Sequence, residues 1–127
     1  MGINLFIRSR LYFLLIRLFL VSLGAIPAGL FRWAISNDFF VNMIGTIVLG
    51  FITGFGIRNR YKFTIAIGFC GACTTFSGWM LKVIELIFLG YFSSAFFNFC
   101  IVLLAGLLTF SVAFYFGRKT KRSIVHQ

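Results

Sequence analysis

Of the 127 residues, 61% are apolar and 11% are charged; a soluble domain carries about a quarter charged residues, so the chain lacks a globular surface and is built for lipid. The net charge of +10, with Asp38 and Glu85 the only acids, would suggest nucleic acid in a soluble protein. Here the basic residues stand at the ends of apolar runs, where membrane orientation and anionic lipid account for them, and no nucleic-acid partner is expected.

A spanning helix takes about 20 apolar residues. The length therefore holds four or five spans at most, and residues 1–127 are expected to form one all-α, four-helix membrane domain. The first run is about residues 11–35, entered by Arg8, Arg10 and Arg17. Gly24-Ala25-Ile26-Pro27-Ala28 faintly resembles a signal-peptidase site, but the apolar run is long for a signal peptide and three further runs follow it. Pro27, the only proline, is expected to kink this helix. Ser36-Asn37-Asp38 is a polar break. The second run, about 39–57, carries Gly45, Gly50 and Gly54, small residues that let membrane helices approach closely. Arg58-Asn59-Arg60-Tyr61-Lys62 ends it as a basic loop.

The third run, about 63–89, is interrupted by Gly68, Gly71, Ala72, Thr74, Thr75, Ser77 and Gly78. Polar, glycine-rich backbone at mid-membrane depth is tolerated only where it is buried in protein or lines a wet cavity. A non-helical stretch is expected over 71–74. Lys82 and Glu85 follow on one helical face, able to pair or to reach the interface. The fourth run, about 93–116, is closed by Arg118-Lys119-Thr120-Lys121-Arg122.

No enzyme constellation is present. There is no Ser/His/acid set, no carboxylate pair and no phosphate loop, and the one histidine, His126, lies in the tail. Cys70-Gly-Ala-Cys73 has metal or redox spacing but no second pair, so Cys70, Cys73 and Cys100 read as small buried hydrophobes. A proton-coupled transporter usually carries an acid in mid-membrane, and Glu85 is expected nearer a helix end. Uncharged polar residues remain. Asn42, Thr46 and Thr53 form one stripe on the second helix, and Asn98 and Thr109 share a face on the fourth. They suit either hydrogen bonding between helices or a path lined by neutral donors, which favours a small anion. Phe76, beside the polar break, offers an electropositive ring edge to such an anion.

The run Gly68-Phe69-Cys70-Gly71-Ala72-Cys73-Thr74-Thr75-Phe76-Ser77 resembles the third-helix signature of the Fluc/CrcB fluoride channels. Gly24, Gly29, Arg32 and Trp33 are similar to that family's first-helix motif, and Asn42, Gly45 and Gly50 to its second-helix motif. The resemblance covers about residues 18–117. It implies a fluoride-specific channel subunit that passively exports cytoplasmic fluoride, in a family of dual membrane topology, packed as an inverted dimer with a second four-helix subunit. It implies a structural, untransported sodium ion held by the backbone carbonyls of Gly71 and Thr74. It implies a fluoride path along Phe76, Asn42, Thr75, Ser77 and Trp79, and an Arg32 that is structural or draws anions at a vestibule. Trp79 stands where the family has a second pore phenylalanine, Gly78 where it has a hydroxyl residue, Ala72 where it has a glycine, and Asn98 and Val102 where it has a tyrosine and a serine. A small four-helix multidrug exporter and a non-conducting assembly subunit are the alternatives, although the exporter family's first-helix glutamate is missing here.

Charge implies an orientation. Arg8, Arg10, Arg17, Arg58, Arg60, Lys62, Arg118, Lys119, Lys121 and Arg122 share one side of a four-span chain, against Arg32 and Lys82 on the other. Basic loops stay cytoplasmic. Both termini are expected inside the cell (inner) membrane, and the inverted mate is expected to be a paralogue, with a homodimer as the alternative.

Overall fold

The computed structural model describes residues 2–57 and 59–125, with side chains over 7–57 and 61–124. Arg58, the Arg60 side chain and His126, all used above, lie outside that set. The described chain is helical apart from short breaks, with α1 (Gly2–Ile35), α2 (Asp38–Phe55), α3 (Asn59–Lys62), a π-helical segment (Phe63–Cys70), α4 (Gly71–Cys73), α5 (Phe76–Phe88) and α6 (Phe92–Val125). Four stretches are long and apolar enough to cross a membrane: Ile7–Ile35, Asp38–Phe55, Phe63–Phe88 and Phe92–Ile124.

The four spans stand where the apolar runs place them. The outer helices run further, because residues such as Arg8, Arg10, Lys119 and Arg122 are good helix formers and continue the turns beyond the apolar stretch. α1 passes Pro27 without interruption. Between α1 and α2 the Asn37 side chain accepts the Phe40 N–H at 3.1 Å, capping α2. At the other end Gly56 takes the left-handed conformation, φ 72°, and returns its N–H to the Ile52 carbonyl.

In lipid, apolar contact gives helices no strong reason to associate, so close backbone approach and hydrogen bonds take over. Two pairings dominate: α2 on α6, and α1 on the π-helical segment. In the second, Gly24 and Gly68 bring two backbones together. A Cβ on Gly24 would run into the Thr64 carbonyl, and one on Gly68 into that of Val21. A small core of Ala28, Val41 and Cys73, covered by Phe31, Ile35, Phe69 and Ala72, joins α1, α2 and the third span. Most large apolar side chains stay exposed, as suits a chain whose solvent is lipid or another subunit.

The third span is the irregular one. A π-helix normally occurs as a single inserted turn; here it occupies eight residues. The non-helical residues are Thr74 and Thr75, at φ −93°, ψ 105° and φ −116°, ψ 130°. This differs from the expected stretch over 71–74. Gly71, Ala72 and Cys73 are helical, because their amides continue turns begun upstream and Thr74 still returns its N–H to the Cys70 carbonyl at 2.8 Å.

Candidate functional site

Asn42 anchors the interruption. It is buried on α2, and its amide engages the backbone of one residue twice, on either side of its Cα. The Oδ1 accepts the Thr75 N–H at 3.0 Å and the Nδ2 donates to the Thr75 carbonyl at 3.4 Å. In a continuous helix the Thr75 N–H would bond Gly71; its capture by Asn42 leaves the Gly71 carbonyl without that donor. Thr74 folds its hydroxyl back onto the Cys70 carbonyl at 2.8 Å. The Thr75 hydroxyl is different: its oxygen is buried and has no hydrogen-bond partner among the described residues. A buried donor left unmatched costs about 1–3 kcal/mol.

These residues line a groove of about 460 Å³ between α2, the interruption and α6, with Asn42, Thr46, Thr75, Phe76, Trp79 and Val102 among its walls. Phe76 and Trp79 meet edge to face, 5.1 Å between centroids and 77° between planes. Phe76 is 63% exposed, so its ring faces out of the chain rather than into its core. Of the expected path, Phe76, Asn42, Thr75 and Trp79 come together here. Ser77 does not: it is exposed and outside the groove. Residues three apart share a helix face and adjacent ones do not, so the face holding Phe76 and Trp79 turns Ser77 away. The two polar stripes also divide. Asn42 and Thr46 line the groove, whereas Thr53 bonds its own helix at the Leu49 carbonyl, 2.6 Å. Thr109 lines a separate apolar cleft with Phe51 and Val112, and Asn98 a third cavity.

Arg32 is a brace. It pairs with Asp38 and donates to the Cys73 carbonyl at 3.1 Å, tying α1 and the start of α2 to α4. With its charge balanced, it is not the free cation that an anion-drawing residue would need. Asp38 is the functional residue that sequence reasoning passed over; its signal was that one of only two acids lies six residues from Arg32. Gly78 makes room for the pair, since a Cβ there would sit 2.6 Å from the Asp38 carboxylate and 2.7 Å from the guanidinium. Lys82 and Glu85 form no ion pair among the described residues.

A cation at the interruption would find backbone carbonyls and the hydroxyls of Thr74 and Thr75, but no carboxylate. Among the described residues no group of three His, Cys, Asp or Glu is placed to hold a metal. The donor set at Gly71 and Thr74 is carbonyl oxygen, at a helix end that lacks its next hydrogen-bond donor, and such oxygens suit a hard cation. Gly71 is exposed, with open space beside it.

The family description "CrcB-like protein, Camphor Resistance (CrcB)" matches residues 19–115. A Prochlorococcus marinus protein named Fluoride-specific ion channel FluC 1 is 41% identical over 113 residues, 89% of this chain and 91% of that protein. A Synechococcus protein named Fluoride-specific ion channel FluC 2 is 35% identical over 112 residues, 84% and 85% of the two chains. A Bacillus cereus protein of that name is 31% identical over 86 residues, 58% and 73%. These are names of channels rather than enzymes, and their numbering suggests paralogues within the family. Matched along most of its length, this multi-pass membrane chain belongs to the CrcB-like family.

Proposed function

We propose that the chain is a subunit of a fluoride-specific channel that lets cytoplasmic fluoride leave the cell passively. The relatives' names support this reading, and one observation carries it: Thr75, whose buried hydroxyl has no partner among the described residues, lines the groove beside the outward-facing Phe76 ring. A hydroxyl hydrogen and a ring edge both present positive potential without a formal charge. They favour a small anion and hold it weakly enough to release it. In this reading Asn42 fixes the Thr75 backbone at the groove wall. The Gly71 and Thr74 carbonyls would hold a structural sodium ion, which supplies fixed positive charge and locks the interruption. The mate is an oppositely oriented four-helix subunit, a paralogue rather than a second copy, because the basic residues fix this chain with both termini in the cytoplasm of a cell whose inner membrane it spans.

The test is fluoride efflux from liposomes holding the purified chain, alone and co-expressed with a paralogue from the same cell. Fluoride efflux driven by its own gradient, without a proton gradient, is expected with the pair. Phe76→Ile keeps bulk but removes the ring edge and should lower flux by about tenfold or more, equivalent to ~1.4 kcal/mol of barrier. Unchanged efflux in that variant would return Phe76 to packing. No fluoride flux from either preparation would reject the channel reading.

A further inference from the structure

The third cavity noted above is polar. It has about 440 Å³ and lies between the α1–α2 turn, α5 and α6, with Asn37, Asp38, Trp79, Lys82, Asn98 and Val102 among its walls. Trp79 and Val102 also line the groove, so the two spaces adjoin across these side chains. The charges in it can be counted. The Asp38 carboxylate is taken by Arg32. Lys82 is in no ion pair among the described residues; Glu85, one turn along α5, does not reach it. The Asn37 side-chain oxygen is occupied by the Phe40 N–H, which leaves that amide as a donor. The cavity thus offers one uncompensated positive charge and amide donors, with its single acid already neutralised.

We propose that this cavity is an antechamber that gathers small anions, with Lys82 supplying the attraction and Trp79 with Val102 forming the partition to the groove. The proposal rests on the channel reading for its delivery step alone; the gathering step stands on the cavity's own charge. Lys82 is exposed, and a cation beside a partly enclosed cleft raises the local anion concentration and entry rate, an effect that weakens as salt screens it. The structure assigns Lys82 to positioning the anion before it enters the groove, not to the passage past Phe76.

Trp79 reports on the gathering step directly. The chain has two tryptophans, so Trp33→Phe in the full chain leaves Trp79 as its single indole. Iodide and acrylamide quenching of its fluorescence is then measured in detergent at low ionic strength. In Lys82→Gln the iodide quenching constant should fall by about twofold or more, fall further in Lys82→Glu, and recover in Lys82→Arg. Acrylamide, being neutral, should quench all four equally. Equal iodide quenching in Lys82→Gln and the parent would overturn the proposal. In liposomes, Lys82→Gln should slow fluoride efflux by about threefold or more at low salt and converge on the parent at high salt. A loss of iodide quenching with unchanged efflux would overturn delivery to the groove. If quenching depends on Lys82 while the parent passes no fluoride at all, the anion site stands and the channel reading fails.

Discussion

The third span has two halves that are held in opposite ways. Upstream, the π-helical segment lies against α1 with backbone touching backbone at Gly24 and Gly68, and no side-chain hydrogen bond joins the two among the described residues. Downstream, the chain is tethered by polar side chains: Asn42 on Thr75, and Arg32 on Cys73 with Asp38 beside it. Shape holds the first half, with a cation–π contact of Arg17 on the Phe63 ring at 5.1 Å, and hydrogen-bond donors hold the second. The contrast teaches where solvation can be exchanged. A glycine contact has nothing to offer an ion, whereas a segment already fixed by amides and a guanidinium keeps unsatisfied groups in place beside the groove.

Substitutions can break that contrast, beginning with the largest expected effect. Gly68→Leu pushes a side chain into the Val21 backbone, which has no flexible end to move aside. Overpacking costs about 1–3 kcal/mol in soluble cores and more where backbone must shift, so loss of monodisperse protein on size exclusion is expected. Recovery of normal, active protein would show that the two backbones are not in contact. Arg32→Met removes the brace and leaves Asp38 without its cation. With both partners part-exposed, a loss of about 1–3 kcal/mol is expected, measured as a lower midpoint for heat-induced aggregation. Asp38→Asn added to it should restore part of that loss, which an independent role for Arg32 would not allow.

Asn42→Asp separates holding from conducting. The carboxylate still accepts the Thr75 N–H but no longer donates, and it places negative charge in the groove. Stability should fall by about 1–3 kcal/mol, because the carboxylate is buried and the Thr75 carbonyl loses its donor. In protein that still reconstitutes, fluoride efflux should fall by about tenfold or more at neutral pH, because a fixed like charge repels the anion. Efflux at the parent's rate would remove Asn42 from the path. The smallest effect is expected at Thr53→Val. This exposed hydroxyl bonds only the Leu49 carbonyl of its own helix, so stability and flux should stay within about 0.5 kcal/mol of the parent. A large change there would mean that the α2 stripe acts as one unit after all.

The spans were legible because lipid enforces a length and a polarity, and the four apolar runs meet both. The interruption was legible as a cluster of small and hydroxyl residues, but its position was not. Which peptide leaves the helix depends on Asn42, 33 residues away, and no local signal records that reach. Ser77 was drawn into the site by adjacency to Phe76, although helical geometry turns it outward. Arg32 was open to a structural or an anion-drawing role, because its partner Asp38 lies across a turn whose path is set by the Asn37 cap. The split of Asn98 and Thr109 into separate cavities follows from how α6 crosses α2 and α5, a tertiary fact that spacing along one helix does not contain.

The start of α5 has one further consequence. Thr75 gives it no side-chain cap, and Thr74 and Thr75 are extended, so its leading amides find no carbonyl one turn back. That helix end lies within a span, Phe63–Phe88, rather than at its edge. Hydrocarbon has nothing to give such amides, and each left bare in it costs several kcal/mol. A solitary copy dispersed in lipid would therefore carry a thirsty spot at mid-depth. Water, an ion or another chain must wet it, and diluting the protein in long-chain detergent should make this spot the first to draw solvent inward.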